Sequence, residues 1–298
     1  MPPCLYHCRM KTTRILRKNR AGPRRRMHPS PRPSPFPKGR GGLREMFPLH
    51  ARGEWVRVRG RLATVMGVLF AFGCATVNFA APVEVPPGLD PAPLDRLLAK
   101  YVDERGLVKY RDWKASPADS AALRDWLAKL TGTGATGDDR TATLINAYNA
   151  LTIQWILDNY PVKSIKRTEN PWSAKRHRVG DRLVSLDEIE HDTLRPQAGY
   201  RVHAVLVCAA RSCPPLRNRA FTAADLSAQL DDRFRVWLAR EDLNSFDVDK
   251  GRAELSKIFS WYARDFADLP AILRTYAPAA GEYKISYKSY NWSLNEQP

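Results

Sequence analysis

The stretch Arg201–Pro215, RVHAVLVCAARSCPP, constrains this chain more than any other. From Val202 to Val207 it is almost wholly apolar, and Pro214-Pro215 close it. A short apolar run bounded by prolines reads as a buried central strand. It delivers Cys208, Ser212 and Cys213 to a loop leaving a rigid element, where sites commonly lie. Alternate side chains of a regular strand share a face. Val202, Ala204, Leu206 and Cys208 would then point one way and His203 the other.

The segments around it set the fold class. Apolar spacing predicts helices over 94–101, 118–130 and 143–159, the last apolar nearly all round and therefore buried. Leu107–Tyr110 reads as a short strand, and 177–184 as a hairpin turning at Gly180-Asp181. Ser185 and Glu188 have capping-box spacing and open a helix that Pro196 stops. Thr222–Asp225 opens another helix with a stripe of Leu226, Leu230, Phe234 and Trp237. Further helices are expected over 256–266 and from Pro270, then a half-buried strand within 282–290. The glycine-rich TGTGATGDD at 131–139 lacks the ending of a phosphate loop and reads as a flexible connection. Helices and strands mix without βαβ alternation. The class is α+β, a single compact domain over 94–298 with a small mixed or antiparallel sheet.

Charge separates the ends of the chain. The net charge is +17, but residues 1–65 hold 17 of the 48 basic residues and only Glu45 and Glu54 as acids. Residues 66–298 carry 31 basic against 29 acidic groups, a net of +2, so nothing marks the folded part as a nucleic-acid binder. Residues 1–45, rich in Arg, Pro, Gly and Ser, read as a basic extension or an over-extended start. Residues 46–81 have the basic and apolar regions of a signal peptide, or of an N-terminal anchor if uncleaved. The expected location is therefore periplasmic or secreted, with membrane contact only through that leader. Residues 82–93 read as a proline-rich spacer.

In the globular part, the two cysteines present two chemistries. A thiolate nucleophile needs a base and a group to orient it. Cys208 as nucleophile, His191 as base and Glu190 as orienter supply the types, with backbone N–H groups near Arg211–Cys213 as an oxyanion site. Asn146 and Asn149, three apart on a greasy helix, either contact substrate or tie the helix to a loop, and Ser212 is a further substrate contact. In an exported domain Cys208 and Cys213 can instead close a disulfide. His191 has a surface alternative, satisfied by Asp187 or Glu188. Zinc on Cys208, Cys213, His191 and His203 is disfavoured, because C-x₄-C is not a finger or ribbon spacing. No cofactor and no metal are expected; the partner would be a small-molecule or peptide-like ligand.

The blocks LINAYNALTIQWILDNYPVKSI, LVSLDEIEHDTLRP, VHAVLVCAARSCPPLRNRAFTAADLSAQLDD, LSKIFSWYARDF and YNWSLN resemble the domain of unknown function 547 family, from about Tyr101 to Asn295. The resemblance implies that Asn146, Tyr148, Asn149, Glu190, His191, Cys208, Ser212 and Pro214 fall in signature blocks. It brings no activity with it. The residues themselves point to a thiol-dependent hydrolase or transferase acting on an amide, ester or peptide-like bond. The alternative is a non-enzymatic envelope binding or scaffold module held by a Cys208–Cys213 disulfide.

Overall fold

The computed structural model describes residues 81–277 and 282–298. The extension 1–45 and all but the last residue of the leader 46–81 lie outside them. The described chain is α+β. Its helices are α1 (Ala92–Tyr101), α2 (Tyr110–Lys114), α3 (Pro117–Ala128), α4 (Gly137–Asn159), α5 (Arg195–Ala198), α6 (Leu226–Leu238), α7 (Lys257–Trp261) and α8 (Leu269–Tyr276). Strands β1 (His177–Val179) and β2 (Arg182–Val184) form the expected hairpin around Gly180, at φ +60°. Strands β3 (Ser245–Asp247), β4 (Arg252–Leu255) and β5 (Lys284–Tyr287) form a mixed sheet, antiparallel between β3 and β4 and parallel between β4 and β5.

Helix α4 is the post of the domain. Residues 141–153 are buried without interruption, so this helix has no solvent face over more than three turns. Each fully buried Leu or Ile there, such as Leu144 or Ile145, stabilises the fold by about 1.5–3 kcal/mol. Helices α2 and α3 and the segment 188–194 pack around it. Helix α1 buries Leu94, Leu97, Leu98 and Tyr101 at helical spacing, and the Tyr101 ring stacks on Trp113 of α2 at 4.5 Å. Helix α6 buries the expected stripe, and Trp237 stacks flat on Phe259 of α7 at 4.7 Å. No helix among the described residues is long and apolar enough to cross a membrane.

Several expectations are corrected. The run 202–207 is buried, but Gly199–Ala204 winds as a 3-10 helix and no strand follows. An apolar run reports burial, and burial is compatible with either backbone. Leu107–Tyr110 reduces to bridges from Val108 to Val102 and Glu296, and Tyr110 already belongs to α2. Pro196 does not stop the helix after the Ser185 capping box. Glu188–Leu194 is π-helical and runs into α5, where proline is accommodated in the first turn because no amide hydrogen is needed there. Residues 256–266 are helical only over α7, and α6 begins at Leu226 rather than at Thr222. The stretch 82–93, expected to be a spacer, is packed: Val83 and Val85 are 0% exposed, and the Val83 N–H donates to Thr193 Oγ1 at 2.8 Å.

Candidate functional site: the Cys208–Cys213 thiol pair

Two carboxamides of α4 seat the loop that carries the cysteines. Asn149 donates from Nδ2 to the Val205 carbonyl at 2.8 Å and accepts the Val207 N–H on Oδ1 at 2.9 Å. Asn146, one turn earlier, does the same at Phe221, donating to its carbonyl at 2.9 Å and accepting its N–H at 2.8 Å. Both side chains are buried, and between them they hold the chain before and after the thiols. This is the helix-to-loop tie anticipated as one of their two roles.

Within the loop the backbone reverses. Ala209 sits in the left-handed region at φ +57°, and the Cys213 N–H donates to the Ala210 carbonyl at 3.0 Å. Strained backbone of this kind persists where surrounding structure holds it. Here the holder is the segment 291–296. Arg211 N–H donates to the Ser293 carbonyl at 2.8 Å, Ser212 N–H to the Asn291 carbonyl at 3.2 Å, and Asn295 N–H to the Ala209 carbonyl at 3.0 Å. Ser212 Oγ accepts the Asn291 N–H at 2.8 Å. The amides of Arg211, Ser212 and Cys213 are therefore all engaged by carbonyls, and the expected oxyanion site there is not formed. On the far side, a Cβ on Gly106 would stand 2.3 Å from the Leu216 nitrogen, so Pro215 and Leu216 rest directly on the Gly106 backbone.

The reversal brings the sulfurs to 2.9 Å, and both cysteines are free thiols. A disulfide bond would measure about 2.05 Å. Cys208 is half-buried and Cys213 is 5% exposed. The Cys208 N–H points at Cys213 Sγ at 3.2 Å, and the Tyr290 hydroxyl lies 3.2 Å from Cys213 Sγ and 3.6 Å from Cys208 Sγ. One amide donor, one thiol and one hydroxyl thus surround the Cys213 sulfur. Burial pushes the Cys213 thiol up, but the Cys208 thiol, the Tyr290 hydroxyl and nearby amides outweigh it and bring it below an ordinary thiol. Cys208 moves the opposite way. Its contact with the Cys213 sulfur raises it most, desolvation adds to this, and the charges of Cys213 and Glu190 oppose its ionisation, against a lowering by the Tyr290 hydroxyl.

Glu190 and His191 lie on the π-helical turn. Glu190 is 8% exposed, its Oε2 accepting from Tyr148 at 3.1 Å and its Oε1 from Tyr262 at 2.7 Å. His191 has no hydrogen bond to either sulfur. Its Nδ1 lies 3.1 Å from Arg195 Nη1 and 3.7 Å from Glu190 Oε1, and its Nε2 is 3.8 Å from Asp187. The capping carboxylate Glu188 is engaged instead by Ser185, Arg182 and Lys175. His203, placed by the strand argument on the wrong face, is buried against Tyr262 with ring centroids 4.1 Å apart. Its Nε2 lies 2.7 Å from Asp265 Oδ2, and Asp265 also receives two bonds from Arg195, at 2.7 and 2.8 Å. The Arg195 guanidinium, helped by His203, lowers the Asp265 carboxyl to about 2. His203 is lowered by burial, an effect Asp265 opposes. Among the described residues no group of three or more His, Cys, Asp or Glu side chains is arranged to hold a metal ion.

Sequence reasoning missed Tyr290, Tyr262, Asp265 and Arg195. Tyr290 and Tyr262 stood in blocks already singled out, but no spacing rule pairs residues that lie 77 apart, as Cys213 and Tyr290 do. Tyr290 itself is wedged between Trp261 at 4.7 Å and Trp292 at 4.5 Å, and Trp261 is 46% exposed. Beside it lies a shallow depression of about 180 Å³ that includes open solvent, lined by Ser212, Asp242, Lys257, Lys288 and Tyr290 among others. A second depression, of about 220 Å³, borders Asn146 and Asn149 through Leu94, Leu98 and Leu216 and contains neither sulfur.

No curated protein and no solved structure matches the chain. A family model does match, over a narrower span than the resemblance read from the sequence, and Tyr262 and Tyr290 fall outside it. Residues 133–238, which carry α4, the π-helical turn, both thiols and α6, match the model of the family described as Protein of unknown function, DUF547, and over that span the chain is similar to this family.

Proposed function

We propose that the chain is an exported thiol–disulfide exchange domain whose reacting groups are Cys208 and Cys213. The observation that carries this reading is the convergence on one sulfur: the second thiol at 2.9 Å, the Cys208 N–H at 3.2 Å and the Tyr290 hydroxyl at 3.2 Å. Thiol–disulfide exchange needs a stabilised thiolate and a second sulfur in line to take its place. Joining the two sulfurs releases two protons and two electrons, and a disulfide on the partner molecule takes them up as it splits into two thiols. Export rests on the charge and apolar pattern of 46–81, and an oxidising compartment would keep such a pair in use.

A hydrolase or transferase with Cys208 as nucleophile, His191 as base and Glu190 as orienter is a second reading. One observation favours it: Glu190 and His191 occupy a π-helical segment, a winding frequent at functional sites. It is the weaker reading, because His191 is bonded to Arg195 rather than to a sulfur and the loop amides are engaged.

The test is a redox titration. The full chain is equilibrated in buffers of stepped reduced-to-oxidised glutathione ratio, quenched in acid, alkylated and weighed intact. An exchange centre gives a midpoint within the range such buffers poise, above about −300 mV. A bond that stays closed throughout identifies a structural cross-link and supports the scaffold module. Thiols that never close leave only the nucleophilic reading.

A further inference from the structure

The two sulfurs are not equivalent, and the difference has a direction. Cys208 keeps part of its surface open, whereas Cys213 is buried under the Tyr290 hydroxyl. Exchange at a disulfide requires the incoming thiolate to approach in line with the bond that breaks. Cys208 is the less buried residue of the two, so an incoming thiolate displaces less protein to reach it than to reach Cys213, which is 5% exposed. The groups able to receive negative charge favour Cys213: the Tyr290 hydroxyl is 3.2 Å from its sulfur against 3.6 Å from that of Cys208, and the Cys208 N–H points at Cys213 Sγ.

We infer that the oxidised pair acts on dithiols, with Cys208 as the sulfur to which the substrate is joined and Cys213 as the sulfur that leaves, received by the Tyr290 hydroxyl and the Cys208 amide. This rests on the exchange reading above and adds its substrate class and polarity. In the first step a substrate thiolate attacks Cys208 Sγ. A substrate–Cys208 bond forms, the Cys208–Cys213 bond breaks, and its electron pair stays on Cys213. In the second step another thiolate of the same substrate attacks the substrate sulfur of the mixed disulfide. Cys208 leaves and takes a proton from solvent. The substrate is oxidised by two electrons to a disulfide, and the cysteine pair is reduced by two. A lower leaving-group pKa speeds the first step, and the low setting of Cys213 agrees with that role. Exchange with another disulfide restores the pair.

The oxidised full chain is mixed with a limiting amount of a peptide bearing one cysteine, quenched in acid, alkylated after denaturation and mapped. The expected product carries the peptide on Cys208 and the alkyl group on Cys213. Peptide on Cys213, or on both equally, overturns the polarity while leaving exchange intact. Absence of any mixed disulfide sinks the exchange reading itself. Tyr290→Phe, which keeps the ring between Trp261 and Trp292, tests the hydroxyl. The rate of mixed-disulfide formation is expected to fall about three- to tenfold, and the pH midpoint of thiolate formation in the reduced pair to rise. A Tyr290→Phe chain with an unchanged midpoint removes the hydroxyl from the mechanism.

Discussion

Asn149 stands in for a neighbouring strand beside Val207: its carboxamide accepts that residue's N–H at 2.9 Å and donates to the Val205 carbonyl at 2.8 Å. The segment leading to Cys208 is thereby satisfied without a sheet. Asn149→Ala leaves both backbone groups buried and unpartnered, at an expected loss of about 2–4 kcal/mol in urea unfolding. Asn149→Leu restores volume but no hydrogen bond and should not recover that loss. A cost under about 1 kcal/mol for both variants would mean the carboxamide does not hold the segment.

Gly106 supports the chain just past the thiols. It has φ +77°, and an added Cβ would meet the Leu216 nitrogen and Pro215 Cα at 2.3 and 2.6 Å. Backbone cannot swing aside as a side-chain tip can. Gly106→Ala is expected to cost about 3 kcal/mol or more, and to raise alkylation of Cys213 in the native protein. A variant with unchanged thermal midpoint and unchanged thiol protection would contradict this seating.

Acid should weaken the domain in two stages. Burial, reinforced by the Arg176 charge, lowers His177 from 6.5 to about 4. The folded state disfavours its protonation, so the associated stability is complete above pH 6.5 and is lost as pH falls towards 4. Asp265, lowered from 3.8 to about 2, contributes stability that is present above its unfolded value and lost between roughly pH 4 and 2. Each stage is worth on the order of 2–3 kcal/mol. Urea midpoints at pH 7, 5.5 and 4 should show a flatter decline in His177→Gln, and midpoints at pH 4, 3 and 2 a flatter one in Asp265→Asn. Parallel slopes in wild type and variant would refute the assignment.

Glu190 and His191 should separate cleanly. Glu190→Ala strips the acceptor from the Tyr148 and Tyr262 hydroxyls and is expected to cost about 2–4 kcal/mol. His191, with a side chain 38% exposed, should cost no more than about 0.5 kcal/mol as His191→Ala and leave thiol exchange within about twofold. Loss of all thiol reactivity in a folded His191→Ala chain would move the weight to the hydrolase reading.

The fold class, most helices, the hairpin and the capping box were legible because each is written in local spacing. Ser185 and Glu188, for instance, bond each other's backbone three residues apart. The 202–207 run was misread for a physical reason: burial on all sides erases the alternation that would tell strand from 3-10 helix. That error also misplaced His203, whose partner Asp265 is 62 residues away. Cys208, Cys213, Glu190 and His191 could be named as candidates because their chemistry is intrinsic. Tyr290 and Tyr262, the partners of Cys213 and Glu190, could not, since they are chosen by long-range packing that no period encodes. Arg195 stands four residues from His191, a helical spacing that the sequence does carry.

The segment 291–296 that pins the thiol loop has a consequence for biogenesis. Tyr290 follows Cys213 by 77 residues, so a ribosome releases both thiols well before the residues that will shelter them. Until that segment docks, Cys208 and Cys213 face solvent as ordinary cysteines of an unfinished chain, open to pairing with any thiol nearby. Closing a contact of such sequence separation is slow compared with local helix formation. The order of synthesis therefore sets a window in which this domain depends on its surroundings to keep its two sulfurs for each other.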